Sequence, residues 1–214
     1  MIVYGPSASP FVRKVLAYAH EKGIAIERKM ASPTEPRDAD FLAASPYGKI
    51  PAFKDGDFLI SDSSAIIAYL EAKHPQPVLI PAEPKARARV VWFDEFADTL
   101  LASAVQPIFF NRVVAKLLGR PADLATADRV EKEELPKHYK YLEGILPPSG
   151  FLVGDKLTLA DISVATMLAN LEHLGIGPKA ADYPKAAKFA AAMLGRPSFK
   201  GFVEAERKML AAAA

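Results

Sequence analysis

The sequence predicts an α/β domain followed by an all-helical domain. Before residue 75, short β-branched and aromatic runs alternate with segments of helical period. Prolines then crowd together at positions 75, 77, 81 and 84. Beyond them no segment shows the two-residue alternation of a strand, and apolar positions recur at helical spacing. The 214 residues suffice for one large or two small domains, and 50% are hydrophobic, enough for a full core.

Ile2-Val3-Tyr4 forms a short first strand, and Gly5-Pro6-Ser7-Ala8-Ser9-Pro10 a turn-rich loop. Pro10 suits the first turn of a helix, where its missing N–H is not needed. That helix spans residues 10–22, with Phe11, Val15 and Tyr18 on one face, and Gly23 stops it. Residues 24–29 alternate as a second strand, completing a βαβ unit. Residues 31–49 are irregular, with prolines at 33, 36 and 46 and a short helix over 38–44. Strands at 51–54 and 58–60 flank Asp55-Gly56-Asp57, a tight-turn signal. A helix over 62–73 buries Ile66, Ile67 and Leu70. The order βαβ, α, ββ, α is that of a thioredoxin-like domain.

The domain ends near Gln76, and a stiff proline linker covers 77–84. A long helix spans 85–118, kinked or divided by Pro107. A second spans 124–146, with Pro136 as a possible kink. Phe151 to Ile162 then carries a capping box: Thr158 caps a helix start, Asp161 reaches back to the Thr158 N–H, and Leu157 and Ile162 occupy the staple positions. Asp182-Tyr183-Pro184 opens another helix. Arg196-Pro197-Ser198 opens a last one, to residue 210, with a frayed alanine tail.

Several function classes are disfavoured. Net charge is +2 without a dense basic run, against a nucleic-acid partner. No apolar run of transmembrane length is evident, and the start lacks a charged n-region and an apolar h-region. Cysteine is absent, which removes disulfides and protein thiol chemistry and is compatible with a reducing cytoplasm. Four scattered histidines give no metal-ligand spacing.

Gly48-Lys49-Ile50-Pro51-Ala52-Phe53 and Asp62-Ser63 have the chemistry to hold a small peptide. Pro51, in a tight and potentially cis turn, presents the backbone of Ile50 to an extended ligand. Asp62 and Ser63 sit where a helix begins, and exposed N–H groups with the helix dipole favour a carboxylate there. Ser63 adds a hydroxyl donor, and Asp62 accepts from an ammonium. A plain strand–turn–helix with a capping Asp is the bland alternative.

Pro46-Tyr47-Gly48-Lys49-Ile50-Pro51, with Asp62-Ser63 through Tyr69-Leu70, resembles the glutathione site of cytosolic glutathione S-transferases; Asp62 stands where many members have Glu. Gly154-Asp155-Lys156-Leu157-Thr158-Leu159-Ala160-Asp161 resembles the hallmark of their helical domain. The resemblance spans nearly the whole chain. It implies a thioredoxin-like domain that binds glutathione, a helical domain that forms the electrophile site, and a two-fold dimer. It further implies that Ile50 pairs through its backbone, that Asp62 and Ser63 hold the γ-glutamyl end, and that Lys49 reaches the glycyl carboxylate.

Such an enzyme must hold the thiol as thiolate, and a hydroxyl at the start of the first helix would do so. Three compete: Ser9, Ser7 and Tyr4. Ser9-Pro10-Phe11-Val12-Arg13 resembles the serine-type members of theta-, phi-, zeta- and nu-related classes, which puts Ser9 first, Ser7 second and Tyr4 third. Phe109, Phe110 and Arg112 are candidates for the second substrate, and Trp92, Phe93 and Phe96 for the dimer. Two rivals stay open: another glutathione-dependent reaction (isomerisation, dehalogenation or peroxide reduction), or a non-catalytic interaction module.

Overall fold

The computed structural model describes residues 1–31 and 38–212. The irregularity expected at Pro33 and Pro36 falls outside them. The chain forms two compact units, Met1–Ile80 and Pro81–Ala214.

The first unit is built on a four-stranded sheet, β1 (Ile2–Tyr4), β2 (Glu27–Lys29), β3 (Ala52–Asp55) and β4 (Phe58–Ser61), in the order β2-β1-β3-β4. β1 and β2 are parallel, and β3 runs antiparallel to β1 and to β4. β2 is shorter than its sequence pattern, beginning at Glu27 rather than residue 24. The β3–β4 turn is made at Gly56, whose φ is +62°. Helices α1 (Pro10–Glu21), α2 (Ala39–Ala44) and α3 (Ser63–Lys73) complete the unit.

Side chains alternate across a sheet. Tyr4 and Ala52, paired in register, pack with Phe41 and Ala44 of α2 on one face. Val3 and Phe53, the next pair, point to the opposite face, where α1 packs on α3. Lys22 fastens the end of the unit. Its buried ammonium pairs with Glu71 at 2.5 Å and donates to the carbonyls of His74 (2.6 Å) and Pro77 (2.7 Å). Tyr18 donates to the same Glu71 carboxylate, and burial, then Glu71, pushes its phenol pKa up.

The second unit is all helix. Its first element, α4 (Pro84–Leu117), is one continuous rod. Pro107 lies inside it without dividing it; the departures from α geometry are π-helical segments at Phe96–Leu101 and Phe110–Val114. The Asn111 amide donates to the Pro107 carbonyl at 2.9 Å, just where the second segment begins. By length and composition α4 is apolar enough to cross a bilayer, where the sequence was expected to hold no apolar run of transmembrane length. Its Val90, Phe93, Ala97, Leu101, Val105 and Ile108 are buried within the unit. Phe93 and Phe96 are thus internal, while Trp92 stays half exposed and donates to Tyr141 at 3.1 Å.

The helix expected over 124–146 is two, α5 (Leu124–Glu133) and α6 (Leu135–Ile145), broken at Glu134 beside Pro136. Pro136 has no N–H to give the carbonyl of Lys132, four residues earlier, and its ring crowds that turn, which accounts for the break. Helix α7 (Leu159–His173) is the centre: every residue from Leu159 to Leu171 is buried. Ser163 donates to Asp94 of α4 at 2.6 Å, a buried polar link between the two helices. α8 (Pro184–Leu194) and α9 (Pro197–Ala212) close the unit, the last helix running two residues past the expected end.

Candidate functional site

The register sets the site. Tyr4 pairs with Ala52, and Ala52 with Ser61. The three segments that leave β1, enter β3 and leave β4 therefore meet at one edge of the sheet. These are Gly5–Ser9, Gly48–Pro51 and Asp62–Ser64, the stretches singled out from the sequence.

Ser9 occupies the cap position of α1, with extended φ −70° and ψ 123°, and its carbonyl accepts the first helical bond from the Arg13 N–H. Its side chain makes no cap bond, so the bland role as a capping hydroxyl is not the one it plays. Among the described residues neither the Ser9 nor the Ser7 hydroxyl has a hydrogen-bond partner. Of the two, Ser9 abuts the positive end of α1.

Tyr4 differs. Its ring is 1% exposed and packs 5.9 Å from Phe41, on the α2 side of the sheet. Among the described residues its buried hydroxyl has no hydrogen bond of good geometry, with the Asp38 carboxylate nearby. Burial, then the nearby carboxylates of Asp38 and Asp40, push its pKa up. Such a phenol is poorly suited to stabilising an anion. An orphaned buried hydroxyl costs stability. Tyr4→Phe is therefore expected to leave turnover unchanged and to stabilise the protein by up to about 1 kcal/mol in denaturant titration.

The Ile50–Pro51 peptide bond is cis. Among the described residues no backbone hydrogen bond engages Ile50. The turn before it is held by Ser45, whose hydroxyl accepts from the Lys49 N–H (2.9 Å) and donates to the Lys49 carbonyl (2.8 Å). The Lys49 side chain is exposed and, among the described residues, unpartnered.

Asp62 adopts φ +81°, the one non-glycine residue with positive φ among those described. Such a conformation is costly for an L residue and is retained where the surroundings over-determine it, often at a ligand site. Here its Oδ1 caps α3, accepting from Ser64 N–H (2.9 Å) and Ala65 N–H (3.0 Å). Among the described residues Oδ2 has no hydrogen-bond partner, and the residue is exposed, so this oxygen can accept from a cation. Ser63, the first helical residue, is 2% exposed.

Gly5 was not singled out by its sequence context. Its φ is +131°, and a Cβ there would lie 2.6 Å from Val12 Cγ2 and 3.2 Å from Ile50 Cβ. Only glycine lets the loop, α1 and the Ile50 turn approach this closely. Nothing local in Tyr4-Gly5-Pro6 announces that, because the neighbours come from elsewhere in the chain.

The residues suggested for a second substrate behave differently. Phe109 is buried core at 5% exposure. The Arg112 guanidinium is clamped between Asp128 (2.6 Å) and Glu131 (2.5 Å) of α5, so it ties helices together. Phe110 alone retains an exposed ring.

Comparison with known proteins supplies the family context. Family models described as the N-terminal and C-terminal domains of glutathione S-transferase match residues 3–78 and 110–206. Glutathione S-transferase 3 of Zea mays is 33% identical over 171 residues, covering 78% of this chain and 76% of that one. Among solved structures, glutathione transferase F7 from Populus trichocarpa superposes with a TM-score of 0.80 at 28% identity, covering 95% of this chain and 97% of that one. A glutathione S-transferase from Rhodospirillum rubrum F11 does so with a TM-score of 0.84 at 28% identity, covering 94% and 90%.

Proposed function

Because this chain belongs to the glutathione S-transferase family, we propose that it binds glutathione along the sheet edge formed by Ser9, Ile50 and Ser63, with Ser9 as the thiolate donor. The reaction is glutathione transfer. The observation that carries the site assignment is the meeting, at one edge, of an unbonded hydroxyl at a helix start, an unpaired backbone at Ile50 and the strained Asp62 cap.

Each group then has a task. The Ile50 N–H and C=O pair with the cysteinyl backbone of the tripeptide, as one strand pairs with another. Ser63 and the N-terminus of α3 receive the γ-glutamyl carboxylate. Asp62 Oδ2 accepts from the γ-glutamyl ammonium, and Lys49 reaches the glycyl carboxylate. The thiol thereby lies towards Ser9. A free thiol has a pKa of about 8.5 and is mostly protonated at neutral pH. The Ser9 hydroxyl and the α1 dipole favour the charged form, so the proton passes to water and the thiolate persists. Sulfur attacks an electrophilic carbon, a C–S bond forms, and the leaving group departs with its electron pair.

The helical unit supplies the electrophile pocket in this reading, with Phe110 as one wall. Trp92 is proposed as part of a two-fold dimer contact, and the location as cytoplasmic. The test is ultraviolet thiolate absorbance on adding glutathione at pH 7, together with retention on immobilised glutathione. A band with retention is expected; retention without a band would leave a glutathione-binding module and refute the catalytic assignment. Ser63→Ala is expected to raise KM for glutathione about tenfold, with kcat nearly unchanged, as loss of a hydrogen bond to a charged group of about 1.5 kcal/mol requires. Steady-state kinetics with glutathione varied would read it directly.

A further inference from the structure

Helices α7, α8 and α9 line a cavity of about 240 Å³. None of its lining residues belongs to the Ser9–Ser63 edge. Ala187 and Ala191 of α8 and the buried Val203 of α9 give it a lining of small apolar side chains. Charged groups of both signs stand around it, Glu172 on α7 and Lys200, Glu204 and Arg207 on α9.

Glu172 is placed against stability. It is the second-to-last residue of α7, at the negative end of the helix dipole, where a carboxylate is repelled. It is half-buried, and among the described residues its carboxylate has neither a hydrogen bond nor an ion pair. The adjacent imidazole does not serve it, because His173 Nε2 bonds Glu206 at 2.8 Å. Tyr139 feels the unpaired charge: burial first, then Glu172, pushes its phenol pKa up. The Glu172 carboxyl also rests against Gly177, where an added Cβ would come within 2.0 Å of Oε1. The Gly177 φ lies outside the left-handed region, so this glycine supplies room for the carboxyl rather than a special turn.

Arg207 is the opposite case on α9. Its guanidinium is exposed and, among the described residues, unpartnered. Lys200 precedes it by seven residues, two helical turns, and so shares its face. The Lys200–Glu204 pair stands at 4.0 Å with both side chains exposed, which holds Lys200 only weakly. An acid and a base thus line one hollow without meeting: among the described residues no ion pair joins Glu172 to Arg207 or Lys200. A local choice that opposes stability without a structural return points to binding.

We propose that this cavity binds an aliphatic α-amino acid as its zwitterion. The ammonium goes to Glu172 and the carboxylate to Arg207, with Lys200 adding to the positive side. The aliphatic side chain lies against Ala187, Ala191 and Val203. Pockets for drug-sized ligands run to about 300–1,000 Å³, so this hollow takes a smaller molecule. A simple anion or a simple cation would leave one of the two charged walls unpaired.

The experiment titrates L-leucine into the full chain by calorimetry, with S-hexylglutathione in excess to fill the transferase site. One saturable site per chain is expected, and the thermal unfolding midpoint should rise with leucine concentration. Isocaproate lacks the ammonium and isoamylamine lacks the carboxylate. Each should bind at least about tenfold more weakly than leucine, the scale of one lost charge-assisted hydrogen bond. Glu172→Gln should weaken leucine and isoamylamine about tenfold and leave isocaproate unchanged. Arg207→Gln should weaken leucine and isocaproate about tenfold and leave isoamylamine unchanged. Transferase turnover should be the same in both variants. Glu172→Gln removes a charge from the negative end of α7, so its unfolding midpoint should not fall. Ala191→Phe, at an exposed position of α8, fills the hollow and should abolish binding of all three compounds. No saturation by about 10 mM leucine, full leucine affinity in both charge variants, or loss of leucine binding when S-hexylglutathione is added would each overturn the proposal. The crossed pattern of variants and analogues is read by calorimetry, so it is decisive even if the chain proves to have no transferase turnover.

Discussion

Ser9→Ala is expected to lower kcat/KM for glutathione transfer at pH 7 by about 10–100-fold. A hydrogen bond to a charged group contributes about 1.5–3 kcal/mol, which is about 1–2 pKa units on the bound thiol. The loss is therefore of thiolate, not of glutathione. KM for glutathione should change little, and the rate deficit should shrink as pH rises past 9, where the thiol ionises without help. Thiolate absorbance measured against pH gives the same quantity independently of turnover. An unchanged bound-thiol pKa would reassign the donor to Ser7, whose hydroxyl lies in the same loop and is equally unpartnered among the described residues.

Asp161→Ala should destabilise the fold by about 2–4 kcal/mol at neutral pH, because it strands two buried donors and removes a helix cap. The Asp161 carboxylate accepts from Leu152 N–H (2.7 Å), Thr158 N–H (2.8 Å) and Thr158 Oγ1 (3.2 Å), at 0% exposure. The capping box foreseen in the sequence is present in both directions, and the bond to Leu152 adds the preceding loop to it. Burial desolvates this carboxylate and pushes its pKa up to about 6, outweighing the hydrogen bonds that favour the ionised form. Its ordinary value is 3.8. The folded protein therefore binds the proton more tightly than the unfolded chain. The stability that this proton confers is fully present below pH 3.8 and is lost as pH rises through 6. The variant lacks that dependence, so Asp161→Ala should cost more at pH 5 than at pH 7. Denaturant midpoints at the two pH values measure it; a larger cost at pH 7 would mean that hydrogen bonding, not desolvation, governs the group.

What the sequence disclosed was local. Asp55-Gly56-Asp57, the Pro10 helix start, the Thr158–Asp161 box and the Asp62 cap each draw on residues within a few positions of one another. Their physics is complete in a short window. The rest depends on partners brought together by folding. The crowding at Gly5 comes from Val12 and Ile50, and the cap of α8 comes from Glu143. Arg112 looked available until Asp128 and Glu131 met it across two helices. The π-helical segments flanking Pro107 leave no compositional trace, since their residues fit an α-helix equally well. The site followed the same division: Ser9, Ile50, Asp62 and Ser63 were legible as residue types, but their meeting at one edge is a property of strand register.

The Lys22 contacts set the smallest fragment of the first unit that could stand alone. A chain stopped at Gln76 would retain all four strands and all three helices. It would nevertheless lose the Pro77 carbonyl that receives the Lys22 ammonium and the Ile80 N–H that donates to Glu71. A buried ion pair stripped of its supporting hydrogen bonds is costly, several kcal/mol per ion. Autonomy in this unit thus depends on four residues that belong to no strand or helix.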